Sequence, residues 1–322
     1  MNPVYKKIYK TIKKYDEIVI ARHVGPDPDA VASQMSLRDA IRLKFPEKKV
    51  YCAGTGVSKF KHYGLLDKFN EEELNKPLLI IVDLPNLARV DGVDPEKYDD
   101  ILKIDHHPHE EKSGSVEWVD DTASSACQMI IELILNTPLE FNTKIAENLF
   151  LGVVSDSDRF LIVTTSAKTF YLIAKMVEVT GIDFPGLYKV LYERPIAEIK
   201  FKGYLEQNLT VTENGLGYVI IEDKILKEFG VDSATPSNLI NDFNFIKELK
   251  VWMFATFDTS SELYRINVRS KGPVINEVAA RFNGGGHKLA SGIRTPDRKE
   301  LDKIIEAMDE ACKNYSIDEE EK

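Results

Sequence analysis

Brief runs rich in Ile, Val and Leu alternate with longer stretches of helical spacing through the first half of the chain. The runs fall at residues 17–22 (EIVIAR), 49–53 (KVYCA), 78–82 (LLIIV) and 101–104 (ILKI). Strands covered on both faces of a parallel sheet read this way, because neither face meets water. Residues 29–45 carry the apolar spacing of a helix that Pro46 stops, and further helices are predicted over 123–135, 144–154 and 166–179. At the N-terminus Val4, Ile8, Tyr9 and Ile12 form one face of an amphipathic helix whose wet face holds Lys6, Lys7, Lys10, Lys13 and Lys14. The repeated alternation predicts an α/β domain over residues 1–190, built on a doubly wound parallel sheet.

The pattern then changes. Residues 184–208 look helical, punctuated by Pro185 and Pro195, and the part from 191 to 208 reads as a helical linker. Strand-like runs at 209–213 and 217–221 flank the turn pair Asn214-Gly215, and runs at 251–258 and 262–269 flank a second predicted hairpin turn. Helices follow at 274–282 and 297–313, and the acidic tail 318–322 is expected to fray. Residues 209–322 thus predict a second, smaller α/β domain with a mixed sheet, and a cleft between the two domains.

Length agrees with two domains, since 322 residues exceed what one core usually serves. Lys+Arg 42 against Asp+Glu 52 gives a net charge of −10, which argues against a grip on long duplex nucleic acid. Cys52, Cys127 and Cys312 form no CxxC pair, so a disulfide framework and a structural zinc site are not expected. No apolar stretch approaches the ~20 residues of a membrane span, and the N-terminal lysines precede no signal-like apolar segment. The expectation is a soluble, cytoplasmic protein.

Four clusters carry candidate chemistry. They are His23 with Asp27 and Asp29, directly after EIVIAR; Asp83, closing LLIIV; Asp105-His106-His107, closing ILKI; and Asp156, with Asp158 beside it, after the helical run 144–154. Each has a bland reading. Asp27 and Asp29 around Pro28 could form a turn or cap the next helix, and Asp83 before Leu-Pro-Asn could be a turn residue. Their conjunction is stronger, because open α/β sheets bind ligands outside the carboxyl ends of their strands. Four carboxylates and two imidazoles in one crevice would repel or stay protonated unless cations joined them. Mixed oxygen and imidazole donors suit Mn²⁺, with Zn²⁺, Co²⁺ or Fe²⁺ as options, and six donors suit two metals better than one.

In this combination the chain resembles the DHH phosphoesterases. His23, Asp27 and Asp29 match the family's H-x-x-x-D-x-D motif, Asp83 its strand-ending Asp, Asp105-His106-His107 the triplet that names it, and Asp156 its fourth Asp. The stretch 284–292 (GGGHKLASG) matches the glycine signature of the DHH-associated C-terminal domain. Two departures stand out: Pro28 where the family usually has Gly, and Asp158 where a Gly commonly follows the fourth motif.

The resemblance implies roles. His23, Asp27 and Asp83 would hold one divalent metal, and Asp29, Asp83, His106 and Asp156 a second. Asp83 would bridge them, His107 would act as hydrogen-bond or proton donor, and Asp105 would orient the histidines. Arg269, Gly284, Gly285, Gly286 and His287 would bind a substrate phosphate, the three glycines offering a nest of backbone N–H groups. Within the family the glycine signature points to the nano-RNase branch. That implies hydrolysis of short oligoribonucleotides and of 3′-phosphoadenosine-5′-phosphate (pAp), with a homodimer as a possible assembly. Cleavage of pApA or cyclic di-AMP, and a catalytically degenerate nucleotide-binding regulator, are the competing expectations.

Overall fold

A computed structural model describes residues 3–56 and 60–315, and the acidic tail 318–322 lies outside the described residues. The chain divides into two compact units, Met1–Glu193 and Arg194–Lys322.

The first unit runs α1 (Pro3–Lys14), β1 (Glu17–Ala21), α2 (Pro28–Lys44), β2 (Lys49–Cys52), β3 (Leu78–Val82), β4 (Asp100–Asp105), β5 (Val116–Val119), α3 (Ala126–Leu135), α4 (Thr143–Asp156), α5 (Ala167–Thr180) and α6 (Phe184–Tyr192). Its five strands are all parallel, in the order β2-β1-β3-β4-β5. The four strands expected from apolar runs are present. The fifth, VEWV, alternates in burial and is too short to stand out. Alternation along β1 and β3 sends Ile18, Ile20, Leu78 and Ile80 into a core shared with α1 to α5. Val19, Ala21, Leu79 and Ile81 face a second cluster closed by Leu84 and Tyr98 from connecting segments.

The second unit begins earlier than the sequence suggested. Its first helix, α7 (Ile196–Gln207), was expected to be a linker, yet it buries Phe201 and Leu205 in that unit's own core. Then come β6 (Thr210–Val211), β7 (Leu216–Ile221), α8 (Asp223–Phe229), α9 (Thr235–Leu239), β8 (Val251–Asp258), β9 (Leu263–Ser270), α10 (Asn276–Ala280), β10 (Gly285–His287), β11 (Ala290–Thr295) and α11 (Arg298–Asn314). The sheet order is β10-β11-β9-β8-β7-β6. Only β7 and β8 pair in parallel, so the sheet is mixed. A parallel pair needs a crossover, and α8 and α9 lie within it.

One face of this sheet packs on α10 and α11 through Met253, Ile266, Val268 and Ile293. The other face is covered over β7 and β8, where Trp252 and Phe254 join residues of α7 to α9. Beyond β8 that same face carries polar residues. Register places Trp252 opposite Arg269, Phe254 opposite Asn267 and Thr256 opposite Arg265.

Candidate functional site

In the first unit the strand order reverses between β1 and β3, the position where open α/β sheets leave a crevice past their strand ends. Asp83 follows β3 with φ 57, a left-handed conformation that Asp tolerates better than most residues and that turns its carboxylate across the sheet edge. Around it His23 Nε2 lies 3.6 Å from Asp83 Oδ2 and 3.6 Å from Asp27 Oδ2. His106 Nε2 lies 3.2 Å from Asp83 Oδ1, 3.5 Å from Asp156 Oδ2 and 3.9 Å from Asp29 Oδ2. Six expected donors from four separate stretches of chain therefore meet. His23 with Asp27 and Asp83, and Asp29 with His106 and Asp156, form groups whose donor atoms lie within 4.8 Å of one another.

Local structure aims each group. Asp27 caps α2, its Oδ1 accepting from Ala30 N at 2.9 Å, which leaves Oδ2 for the cluster. Asp29 is fixed from another element, its carboxylate accepting from the Ala126 and Cys127 N–H groups at the start of α3, at 2.7 and 2.9 Å. A helix N-terminus favours such an anion. His23 donates from Nδ1 to Val24 O at 2.9 Å, so Nε2 is the nitrogen turned to the carboxylates, the one that would ligate a metal on giving up its proton. Behind it Arg22, fully buried, holds His23 O at 2.9 Å and pairs with Asp91 at 2.8 Å. Sequence reading missed Arg22, although an arginine ending a buried strand is itself a signal.

His107 is held differently. Its Nδ1 sits 2.8 Å from Asp105 Oδ1, which also accepts the His107 backbone N–H at 3.2 Å. The same nitrogen is 3.7 Å from Asp83, but its hydrogen is committed to Asp105. Third in the neighbourhood, His109 faces Glu117 at 3.5 Å on the exposed surface, apart from the cluster.

Electrostatically the cluster asks for cations. Burial pushes the Asp29 carboxyl up to about 7, with Asp83 adding to it, and burial together with Asp29 pushes Asp156 well up. Burial works against the charged forms of His23 and His106. Attraction to the Asp27 and Asp83 carboxylates for His23, and to Asp83 for His106, overcomes it and raises each to about 10. Protons are thus standing where divalent ions would serve. Asp83 Oδ1 is buried with no hydrogen-bond partner, an acceptor that a cation would satisfy. The donor set fits a metal centre.

The second unit carries a basic face. On the bare side of its sheet the rows read Trp252–Arg269–Ala290–His287 and Phe254–Asn267–Gly292–Gly285, with Arg265 directly opposite Arg294. A cavity of about 540 Å³ is lined by Arg265, Asn267, Arg294, Ser233, Ser237 and the backbone of Gly284, Gly285 and Gly292. The glycine stretch is not the expected nest. Gly284 N–H is spent on Ala279 O at 2.9 Å, and Gly285 to His287 form the edge strand β10. A Cβ at Gly284 would sit 2.5 Å from Gly292 O, and one at Gly286, with φ 138, 2.4 Å from Ala290 O. Those two glycines let the hairpin close; Gly285 meets nothing within 4 Å and leaves the cavity floor bare. Arg269 lies beside the hairpin as expected, but its Nε donates to Asn241 Oδ1 at 3.0 Å. Arg265, Asn267 and Arg294 were missed, though their alternation with Tyr264, Ile266, Val268 and Ile293 marks them as one face.

Comparison with known proteins decides the family. Residues 17–153 match the DHH family, N-terminal domain, and residues 216–314 match the DHHA1 domain. The chain belongs to the DHH family. It is 35% identical over 312 residues to the bifunctional oligoribonuclease and PAP phosphatase NrnA of Bacillus subtilis, covering 96% of this chain and 99% of that protein. A probable bifunctional oligoribonuclease and PAP phosphatase NrnA of Streptococcus mutans is 34% identical over 94% of this chain and 97% of its own length. In fold, an exopolyphosphatase-related protein from Bacteroides fragilis superposes with TM-score 0.83 over 98% of this chain and 97% of that one, at 21% identity.

Membership makes the chain a metal-dependent phosphoester hydrolase and gives its two departures from the DHH pattern a physical reading. Pro28 occupies the first position of α2, where its fixed φ suits a helix start and no N–H is needed. Asp158 takes φ 43, the left-handed turn that a glycine would occupy, and pairs with Arg159 at 2.8 Å rather than with the cluster. Among the described residues no helix is long and apolar enough to cross a membrane.

Proposed function

We propose that this DHH hydrolase cleaves very short oligoribonucleotides and removes a phosphate from pAp, with two divalent cations, Mn²⁺ by preference. The observation that carries the reading is the convergence of His23, Asp27, Asp29, Asp83, His106 and Asp156 past the β1/β3 switch point. Two relatives spanning nearly the whole chain bear those two activities in their names.

His23, Asp27 and Asp83 would hold one ion and Asp29, Asp83, His106 and Asp156 the other, with Asp83 shared. Nitrogen and oxygen donors without thiolate suit Mn²⁺. Bound, such a pair supplies positive charge at the phosphoryl oxygens and lowers the pKa of water at the site. His107, steered by Asp105, delivers a proton from Nε2 to the departing oxygen. In the second unit Arg269, Arg265, Arg294, Gly285 and His287 hold a phosphate or base remote from the scissile bond, so that binding there orients the reacting group. Local contacts of this kind suit a chain of net charge −10 and a substrate of a few residues. The partner reading extends to a homodimer, supported by an apolar groove of about 630 Å³ among Phe160, Phe170, Phe184 and Tyr188; light scattering on the purified protein tests it.

The test of function is a side-by-side assay. Purified protein with Mn²⁺ is offered pAp, pApA, cyclic di-AMP, RNA two- to five-mers and pyrophosphate. Hydrolysis of pAp and the short RNAs above the others is the expected result. Preference for pApA or cyclic di-AMP would replace the substrate assignment, and no turnover on any phosphoester would favour a nucleotide-binding regulator.

A further inference from the structure

We infer that Lys103 is a positioning residue for this reaction, one buried ammonium that is anchored on the Pro85 carbonyl and holds the Asp105–His107 pair. The inference rests on the role proposed for His107.

Lys103 lies in β4, directly before Ile104 and Asp105, and its side chain is 0% exposed. A lysine so placed has given up the hydration of a full charge, which strand packing alone does not require. Its Nζ donates to Pro85 O at 2.7 Å and forms an ion pair with Asp105 Oδ2 at 3.3 Å. Each leads to the site. Pro85 stands two residues past Asp83, whose left-handed φ of 57 persists only where neighbours hold it. Asp105 uses its other oxygen for the His107 ring and backbone N–H groups, at 2.8 and 3.2 Å. Asp105 Oδ2 is buried without a hydrogen-bond donor, so the lysine charge is what answers it.

The ammonium therefore joins the ends of two adjacent strands, β3 and β4, that deliver different groups to the same crevice. With Asp105 fixed, the His107 ring keeps Nδ1–H toward it and turns Nε2 outward, so that the protonated ring gives up its Nε2 hydrogen to the leaving oxygen and keeps the one on Nδ1. Outer partners of this kind set the ring orientation. A lysine serving only the fold would lower stability without acting through His107.

The experiment is a double-mutant cycle in the Mn²⁺-loaded protein with pAp as substrate, on Lys103→Met, His107→Ala and the pair. Lys103→Met is expected to keep its metal content and cooperative melting, and to change KM by less than about threefold. Its kcat should fall about 10- to 100-fold, the usual cost of losing an outer-shell partner. The double variant should be no slower than His107→Ala alone, because groups that act as one unit do not lose twice. Should Lys103→Met fail to fold, Lys103→Gln, which keeps a donor for Pro85 O, goes through the same cycle with the same expectation. Losses that multiply, or an unchanged kcat in the lysine variant, overturn the inference and leave the role of His107 standing. A wild-type kcat in His107→Ala overturns that role, and the inference with it.

Discussion

In the first unit the groups that matter stand past the ends of buried strands, joined by Asp156 at the end of α4, whereas in the second they stand on the open face of a sheet. The strand-end groups converge because topology brings the ends of β1 and β3 together, with Asp27 fixed as a helix cap and Asp29 by backbone N–H groups of α3. The sheet-face groups line up because antiparallel register puts Asn267 opposite Gly292 and Arg265 opposite Arg294. Like charges directly opposed are unfavourable in a sheet. Asp258 answers Arg265, while Arg294 has no ion-pair partner among the described residues. The first arrangement concentrates negative charge and calls for cations; the second leaves positive charge and calls for an anion. A two-unit hydrolase acting on phosphates has use for both.

The comparison breaks most sharply at Asp83. Asp83→Ala removes the carboxylate common to both proposed ligand groups, and turnover is expected to fall to background with loss of bound metal by elemental analysis. Full metal occupancy and a wild-type rate would end the assignment. Next comes the histidine pair. His106→Ala should weaken metal binding, whereas His107→Ala should keep metal and lose kcat by about 10²- to 10⁴-fold, the scale of a positioned proton donor. Equal loss of metal in both variants would erase the division drawn from the Asp105 hydrogen bond.

The same contrast explains what was legible in the sequence. The convergence of the predicted ligand residues was legible because each cluster follows an apolar run, and topology brings the strand ends together. The backbone supports were not readable. Nothing in the string shows that Asp29 takes its N–H donors from α3, 97 residues away. In the second unit Arg269 stands out by its place near a strand end, but Arg265, Asn267 and Arg294 hide in ordinary alternation. The hairpin of β10 and β11 hides because three glycines read as a turn or nest until the Gly284 N–H is seen to be occupied. The helix α7 looked like a linker because Phe201 and Leu205 signal burial without saying in which core.

A smaller effect sharpens the second region. Arg294→Ala removes an unpaired guanidinium at the cavity wall and should lower kcat/KM for pAp and short RNA about tenfold, near 1.4 kcal/mol. Arg269→Ala should lose at least as much, up to about 150-fold where two charge-assisted bonds go. Both should leave bis-p-nitrophenyl phosphate hydrolysis and metal content nearly unchanged, since a minimal ester has no remote phosphate to place. An equal slowing of the minimal ester and the nucleotides would return this face to a structural role. Gly285→Ala, open on its outer side, should be far milder than Gly286→Ala, whose Cβ would meet backbone.

The smallest expected effect concerns stability, and its sign follows from the protons the metal-free cluster keeps. His23 and His106 are raised to about 10 and Asp29 to about 7, burial being opposed for the histidines and assisted for the acid by the neighbouring carboxylates. Each group binds its proton more tightly in the folded state than in the unfolded chain, where histidine titrates near 6.5 and aspartate near 3.9. That contribution is complete below the unfolded value and is lost as pH rises through the folded one. Asp83 is shifted down and acts only in the acid range, outside this window. The metal-free protein should therefore lose stability between about pH 6 and pH 9. Mn²⁺ replaces those protons, so the rise in Tm on saturating the protein with Mn²⁺ should grow by a few degrees from about pH 6 to pH 8.5. Scanning fluorimetry at both pH values, with Asp83→Ala alongside, makes the measurement. A metal-induced shift that is constant with pH, or that survives in Asp83→Ala, would mean that the ions bind elsewhere and that the strand-end cluster is held together by protons alone.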